Sequence, residues 1–281
     1  KIIFRKLILM SKLIVSLVSY NSNINELSKV FSFIKENLKS SKVFIFDNAA
    51  QKSLKIFCKK RGFNYFSSKK NIGFGRGHNY NIKKSYKKNS YYLILNPDVF
   101  LKTKDVNLCL KLLSSQKSYG LLTPKLTNLD GSTQLICRSI PNLQNFITRF
   151  LFKTDTYSKR IHKYIESSNK KNFFLNIPFI HGACYFIKSD VIKKIGVYDD
   201  NFFMYVEDLD LYRRISQRYD TIFYKSVIVK HKLARSSHKK LKLFLIHIRS
   251  IIYYFIKWGF FFDLDRIKRN NNFFNQSTKI K

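Results

Sequence analysis

The residues best suited to acid–base chemistry are five carboxylates crowded into twelve positions, in a chain with 17 acidic residues against 53 basic ones. They are Asp199, Asp200, Glu207, Asp208 and Asp210. The apolar run FFMYV leads directly into Glu207 and Asp208. A carboxylate set against such side chains can have a raised pKa and act as a general base. Glu207 and Asp208 are therefore candidates for catalysis.

The same stretch also has a structural explanation. In a helix that begins near Val206, the acidic residues lie in the first turn, where they complement the helix dipole. Asp210 is then placed to pair with Arg213 or Arg214 one turn later. This explains Asp210. It does not explain why an apolar run leads into Glu207 and Asp208.

A divalent metal site is the second chemistry that the sequence suggests. Asp98 follows the strand-like run YYLILNP, in which Pro97 restricts the backbone. One carboxylate does not hold Mg²⁺ or Mn²⁺ well, because these ions take several oxygen ligands, usually including substrate phosphates. His231, after the strand-like run SVIVK, is a candidate nitrogen ligand, although a single histidine is more often structural.

The stretch NIGFGRGHN, residues 71–79, is rich in glycine and opens a helix. Such a loop can let the backbone approach a diphosphate at the helix N-terminus. Its spacing matches neither the G-x-G-x-x-G dinucleotide motif nor a P-loop. The motif alone is therefore a weak indication.

These residues need a scaffold, and the hydrophobic pattern predicts an open, mostly parallel α/β sheet. Apolar runs predict strands at 12–20, 42–48, 63–66 and 91–98, with helices between them. Ligands bind such sheets just beyond the carboxyl ends of the strands. Asn21, Asp47 and Asp98 each follow a predicted strand and should open onto one crevice, although a strand-end Asp can also be a turn former.

The middle of the chain is less regular. TNLDGST predicts a hairpin turn at Asp130 and Gly131. GACYFIKSDVIKKIG predicts a strand and a short helix that is capped by Ser189 or Asp190 and ends at Gly196. With no internal repeat and no long linker, we expect no second folded domain.

The segment 236–281 is different in kind, because its spacing predicts a basic amphipathic helix. The apolar face is formed by Leu241, Phe244, Leu245, Ile248, Ile252 and Phe255. Lys242, Arg249, Tyr253 and Lys257 fall together on another face. Internal charges make it a poor membrane-spanning segment. We expect it to lie on an anionic membrane with Trp258 as an anchor. The alternative is packing on the protein's own core or on a second subunit, which leaves a homo-oligomer open.

Composition gives weaker indications. The formal charge of +36 implies an anionic partner without choosing among nucleic acid, lipid and phosphorylated small molecules. Four widely separated cysteines suggest neither a zinc site nor a disulfide framework, which fits a reducing cytoplasm. The start KIIFRKLIL runs into a strand-like segment without a cleavage site, so an upstream or misassigned start is favoured over a signal peptide.

Taken in order, several of these motifs resemble the family-2 inverting glycosyltransferases, in particular the bacterial rhamnosyltransferases of O-antigen and other surface polysaccharides. The motifs are SLVSYN, FDNA, NIGFGRGHN, LNPDV and GACYFIKSDVIKKIGVYDDNFFMYVEDLDLYRRI, followed by His231. The resemblance implies a GT-A-type nucleotide-sugar-binding sheet flanked by helices over 10–235. Its nucleotide-binding half would be about 10–100 and its acceptor-binding half about 101–235.

The resemblance also implies roles in donor binding. Asp47 matches the carboxylate that binds the pyrimidine base, and the nucleoside pocket is lined by Ser19, Tyr20 and Asn21. A loop that closes over the donor is matched by Asn71, Gly73 and Asn79.

The remaining roles concern the metal and the reaction. Asn96 stands where the family has the first Asp of its D-x-D motif, which leaves Asp98 as the main carboxylate on Mg²⁺ or Mn²⁺. His231 matches a C-terminal histidine that completes the coordination. Asp208 matches the catalytic base, and Glu207 would orient the acceptor or the base.

The implied reaction is a single displacement with inversion, from dTDP-rhamnose or a relative such as a UDP-sugar. The implied acceptor is a polyprenyl-diphosphate-linked saccharide at the cytoplasmic face of the bacterial membrane, where the protein would be peripheral. A nucleic-acid binder is the alternative that the charge motivates, but no recognisable nucleic-acid module is present. A degenerate, non-catalytic scaffold is disfavoured because the carboxylates and His231 are all in place.

Overall fold

The computed structural model describes residues 12–152, 156–168, 171–232 and 241–278. Within them the chain forms a nine-stranded mixed sheet and a separate two-stranded sheet. The strands are β1 (Leu13–Ser19), β2 (Lys42–Asp47), β3 (Asn64–Ser67), β4 (Tyr91–Leu95), β5 (Val99–Phe100), β6 (Tyr119–Thr127), β7 (Cys137–Arg138), β8 (Phe174–Leu175), β9 (Phe179–Ile180), β10 (Cys184–Lys188) and β11 (Asp220–His231).

Helices cover the sheet and extend beyond it. They are α1 (Ile24–Asn37), α2 (Lys52–Arg61), α3 (Phe74–Ser85), α4 (Thr103–Ser114), α5 (Leu143–Phe152), α6 (Thr156–Ser167), α7 (Ser189–Ile195), α8 (Glu207–Ser216), α9 (Leu241–Trp258) and α10 (Leu264–Thr278). The alternation of strands and helices in the first hundred residues follows the sequence prediction.

The order of the main sheet is β3-β2-β1-β4-β10-β6-β11-β5, with β8 paired to β11. The first four strands are parallel, β10 is antiparallel to both of its neighbours, and β11 is parallel to β6. This confirms the prediction of a mostly parallel sheet. Every residue of β1 is buried, as expected of an apolar strand covered on both faces.

The cap predicted for α7 is wrong in detail. The helix begins at Ser189, and Lys188 takes the cap position without a side-chain hydrogen bond. The Ser189 hydroxyl instead accepts a hydrogen bond from the Ser90 backbone N–H at 3.1 Å. It therefore links α7 to the start of β4. Gly196 ends the helix with φ 84°, as predicted.

The tail helices pack on the domain. Ser250, Tyr254 and Phe255 of α9 are buried, and the Ser250 hydroxyl donates to the Met204 carbonyl just before α8. None of the helices in the described ranges is both long and apolar enough to cross a bilayer. One face of α9 thus packs on the protein's own core, and contact of the tail with a membrane stays a prediction.

Candidate active site

Three parallel strands end at one edge of the sheet and position the predicted crevice. Ser19, at the end of β1, pairs with Asp47 at the end of β2, and Leu17 pairs with Leu95 at the end of β4. Beyond β4 the Asn96 N–H donates to the Ala183 carbonyl at 3.0 Å. The residues before β10 therefore share this edge with the Asn96–Asp98 segment.

Asp98 and His231 come together at this edge from distant parts of the chain. Their Oδ1 and Nε2 atoms lie 3.2 Å apart, and the His231 ring is buried whereas Asp98 is partly exposed. The other ring nitrogen, Nδ1, lies 2.8 Å from Gln134 Oε1. Because an amide oxygen only accepts hydrogen bonds, Nδ1 carries a proton, and Nε2 is the ring nitrogen that faces Asp98.

This pair fits a divalent cation. Asp98 Oδ1 is buried and has no hydrogen-bond partner, which is unusual for a carboxylate oxygen. A histidine whose second nitrogen is held by a polar neighbour is the usual arrangement at metal centres. No cluster of three or more His, Cys, Asp or Glu was found among the described residues. A metal here would take its remaining ligands from phosphate oxygens or water.

The approach to α8 is strained. Tyr205 and Val206 have φ values of 70° and 68°, a left-handed conformation that is rare for a β-branched residue. Such residues cost about 1–3 kcal/mol each and cluster at functional sites. Burial of Val206 offsets part of this cost. The backbone thus delivers Glu207 and Asp208 to the first turn of α8, as predicted.

Asp208 is held at the rim of the crevice. Its Oδ2 accepts a hydrogen bond from the Gly182 N–H at 3.0 Å, and its Oδ1 accepts one from the Leu209 N–H at 2.9 Å. The His181 ring lies 3.7 Å from Oδ2, and the Asp208 side chain stays 15 % exposed. A fixed, partly open carboxylate of this kind can accept a proton from a hydroxyl group.

Glu207, the neighbour of Asp208 at the start of α8, is buried. Burial, with the neighbouring Asp208 charge as a second cause, raises the pKa of Glu207 to about 8. Its Oε2 has no hydrogen-bond partner. The side chain is therefore protonated at neutral pH, which suits orientation better than proton removal.

We expect Glu207→Gln to change how stability depends on pH. The folded pKa lies above the ordinary value of 4.5, so the stabilisation from the protonated acid is complete below 4.5. It is lost as the pH rises through about 8. The neutral variant does not lose this stabilisation. Between pH 5 and 9 the thermal midpoint of the natural protein should therefore fall with rising pH more than that of Glu207→Gln. Parallel curves would contradict the assignment.

The other acidic residues hold the tail. Asp210 is buried and pairs with Arg214 at 2.8 Å and with Lys257 at 2.8 Å. Asp199 accepts from Lys257 and from Tyr253. Lys257 and Tyr253 therefore face the domain rather than lipid headgroups.

Trp258, predicted as a membrane anchor, makes contacts within the protein. Its indole N–H donates to Asp210 Oδ1 at 3.0 Å, and its ring stacks 3.9 Å from the Arg213 guanidinium. Arg213 is itself fully buried and binds both oxygens of Asp263, and also Asp265. Trp258 is thus half-buried against α8.

Asp47 is fully buried and engaged within the chain. Its oxygens accept hydrogen bonds from the N–H groups of Ala49 and Gln51 and from the Tyr65 hydroxyl. It thus orders the turn into α2. By contrast, Tyr20 is 54 % exposed beside the ends of the strands.

The glycine-rich stretch is accounted for by close packing. A Cβ on Gly73 would lie 2.2 Å from the Phe203 carbonyl oxygen, and one on Gly77 would lie 2.9 Å from Val18. Asn71 Oδ1 accepts from the Gly73 N–H. The carbonyl of Phe203 also accepts from the first N–H of α3. These contacts join the stretch to the acidic segment.

Asn79 ties the same two regions together. Its amide donates to the Tyr198 carbonyl and to Asp200, and its oxygen accepts from the Tyr198 N–H. The hydrogen bonds observed for Asn79 are thus within the protein, and its contact with a donor stays a prediction. So do the donor-binding roles of the other strand-end residues.

Sequence reasoning missed three neighbours of the site, namely Gln134, His181 and Gly182. Gln134 lies in an irregular segment with no periodic signal. Gly182 directly precedes β10, and a glycine at a strand end can mark a close approach of another group. Here a Cβ would lie 2.8 Å from Asp208 Cβ, so the glycine admits the candidate base.

Comparison with solved structures shows the fold. S. aureus TarS 1–349 in complex with UDP-GlcNAc is similar with a TM-score of 0.58 and 12% identity, covering 96% of this chain and 73% of that one. The Pyrobaculum calidifontis mannosyltransferase PcManGT, in complex with GDP-Man and Mn²⁺, has a TM-score of 0.55 and 11% identity, covering 96% and 76%. This is the predicted GT-A architecture.

No family model matches the sequence. The rhamnosyltransferase WbbL of Escherichia coli K12 is 27% identical over 252 residues, which are 83% of this chain and 86% of that protein. The chain is similar to glycosyltransferases in both sequence and fold. A Mycobacterium tuberculosis N-acetylglucosaminyl-diphospho-decaprenol L-rhamnosyltransferase is 23% identical over 153 residues, 52% of this chain and 48% of that one.

The chain matches only part of the length of some of these relatives. The low-salt glycan biosynthesis hexosyltransferase Agl10 of Haloferax volcanii is 24% identical over 168 residues, 59% of this chain and 50% of that protein. The match to two of these three relatives thus covers about half of their length. The resemblance inferred from the motifs is confirmed, and the reaction itself is taken up as a proposal.

Proposed function

We propose that this chain is an inverting glycosyltransferase of polysaccharide synthesis, with rhamnose from dTDP-rhamnose as the favoured donor sugar. One arrangement carries the proposal. The Gly182 N–H donates a hydrogen bond to Asp208. The carbonyl of the next residue, Ala183, accepts one from the N–H of Asn96, two residues before Asp98. A candidate base and a candidate metal pair are thus connected through one short stretch of chain.

In the proposed reaction Asp208 removes the proton of an acceptor hydroxyl while the oxygen of that hydroxyl attacks the anomeric carbon of the donor. The bond from that carbon to the phosphate oxygen breaks, and its electron pair leaves with the nucleoside diphosphate. Attack opposite the leaving group inverts the configuration. Mg²⁺ or Mn²⁺ held by Asp98 and His231 would supply positive charge for the leaving diphosphate. Protonated Glu207 orients the acceptor or Asp208.

The printed names of the relatives support the choice of substrates. Two of them are called rhamnosyltransferases, and one of these names includes diphospho-decaprenol. We therefore propose a polyprenyl-diphosphate-linked saccharide as the acceptor, used at the cytoplasmic face of a bacterial membrane, with a surface polysaccharide such as O-antigen as the product. A UDP-sugar donor is the second candidate, because TarS has been solved with UDP-GlcNAc.

The test is a panel of dTDP-rhamnose, UDP-GlcNAc and GDP-mannose with a short-chain polyprenyl-diphosphate-linked saccharide, following nucleoside diphosphate release. We expect release with dTDP-rhamnose, stimulated by Mn²⁺ or Mg²⁺ and abolished by EDTA. The anomeric coupling in the product should show inversion. Release with none of the donors would overturn the proposal, and release with UDP-GlcNAc alone would favour the second candidate.

Asp98→Asn should remove most of the metal stimulation, since Asp98 is the carboxylate of the candidate metal pair. Asp190→Asn is the matched control, because Asp190 is exposed on α7 away from that pair. Equal metal stimulation of the two variants would count against Asp98 as a metal ligand.

A further inference from the structure

The tail exposes an unusual amount of apolar surface. Nine of the nineteen exposed large apolar side chains in the described part of the chain lie between residues 241 and 267. They are Leu241, Leu245, Ile252, Ile256, Phe260, Phe261, Phe262, Leu264 and Ile267. Soluble monomers rarely leave contiguous apolar patches of this kind uncovered unless they mark an interaction site.

These side chains form two adjoining parts. The first is a stripe on α9 formed by Leu241, Leu245, Ile252 and Ile256, whose spacing keeps them on one face of the helix; we call it the tail ridge. The second is the turn from α9 into α10, residues 260–264, which we call the aromatic corner. In the corner Phe261, Phe262 and Leu264 are 74%, 92% and 79% exposed.

Charge decides what can cover this surface. Residues 241–281 contain eight Lys and Arg and only two acidic residues, Asp263 and Asp265. Both acids are ion-paired with Arg213. Three of the cations, Lys257, Arg266 and Arg269, are paired with carboxylates as well. Exposed Arg249 lies on α9, and exposed Lys268 follows the corner. Apolar side chains beside unneutralised cations fit the interface of an anionic bilayer.

The corner is also attached to the helix that carries the candidate base. Phe262 and Leu264 point outward, whereas Asp263, between them, is 6% exposed and binds Arg213 of α8 with two hydrogen bonds of 2.7 Å. Tyr254 and Trp258 of α9 contact the same guanidinium. An element that touches lipid here is therefore fastened directly to α8.

We propose that the tail ridge and the aromatic corner dock on an anionic lipid bilayer and, through Asp263 and Arg213, hold α8 in a fixed orientation to that surface. This replaces Trp258 with the corner phenylalanines as the lipid contact. The vesicle-binding part does not depend on the reaction proposed above.

The test compares the natural chain with the corner variant, Phe261→Ser/Phe262→Ser, in flotation with phosphatidylcholine vesicles that contain or lack the anionic lipid phosphatidylglycerol. We expect the natural chain to float with the anionic vesicles and the double variant to lose at least tenfold in partitioning. The matched control is Ile56→Ser/Ile228→Ser, which removes two apolar side chains that are each 56% exposed elsewhere. It should partition like the natural chain.

Four further outcomes separate this proposal from the others. The corner variant should keep its rate with a water-soluble acceptor and lose rate only with an acceptor embedded in vesicles. Equal flotation of both double variants would overturn the docking proposal. So would concentration-dependent dimerisation that the corner variant abolishes, without vesicle binding, because a second copy would then be the occupant. Loss of transfer with intact flotation would instead overturn the proposed reaction.

Discussion

Asp208→Asn is expected to reduce the turnover number by a factor of about 10²–10⁴, the usual contribution of a general base. The amide keeps the size of the carboxylate and can still accept one of the hydrogen bonds from Gly182 and Leu209. It cannot take up a proton from the acceptor. Donor affinity should be nearly unchanged, because the proposed metal pair is untouched. Steady-state kinetics and calorimetric donor titration together check this.

The control lies in the same acidic stretch. Asp200 is exposed and accepts a hydrogen bond from Asn79 through Oδ1, which an asparagine can still accept. Asp200→Asn should therefore turn over at nearly the natural rate. If Asp208→Asn retains full turnover, another group is the base. If both variants fail equally, the acidic stretch acts through folding, which their thermal midpoints would reveal.

Arg213→Met is expected to lower the free energy of unfolding by about 3–5 kcal/mol, because the buried charge of Asp263 then keeps only Arg266, 3.9 Å away. The change also removes the contacts of the guanidinium with Tyr254 and Trp258. A loss of this size corresponds to a fall of about 10 °C in the thermal midpoint. Chemical denaturation followed by fluorescence measures it.

A double-mutant cycle separates the ion pair from lost packing. Arg213→Met combined with Asp263→Asn should be less destabilised than the sum of the two single variants, since no buried charge is then left unpaired at that position. Arg160→Met is the surface control, as Arg160 is exposed and stacks on Phe274 at 5.0 Å. It should cost about 0.5–1 kcal/mol. Additive effects at Arg213 and Asp263 would show that the pair is not coupled.

The first half of the fold was predictable because its signals are local. The apolar run of β1 and the spacing of Leu27, Val30, Phe31 and Ile34 in α1 are set by burial, and the structure buries all of them. The strand-end rule then places Asp98 at the crevice without any knowledge of tertiary contacts. The mixed order of β10, β6 and β11 was not predictable, because long-range pairing leaves no periodic mark in a single sequence.

Some residues of the candidate site are likewise marked by the local sequence, and others are not. Glu207 and Asp208 are marked by the helix start and the apolar run before it. Gln134 is not marked, because its role depends on where β11 places His231, 97 positions later. The sequence also did not show which face of α9 packs on the domain. The polar face of an amphipathic helix can contact either water or carboxylates of the domain. Only the folded structure shows that Lys257 pairs with Asp199 and Asp210.

The Arg213 pair has a consequence for the order in which the molecule is completed. Its partners Asp263 and Asp265 lie 50 and 52 residues further along the chain. At 5–20 residues per second, translation separates them by about 3–10 s. During that interval Arg213, on the helix that bears Asp208, lacks its counter-ions Asp263 and Asp265. A nascent chain can therefore form the strand-end crevice before α8 gains the ion pairs of Arg213 with Asp263 and Asp265.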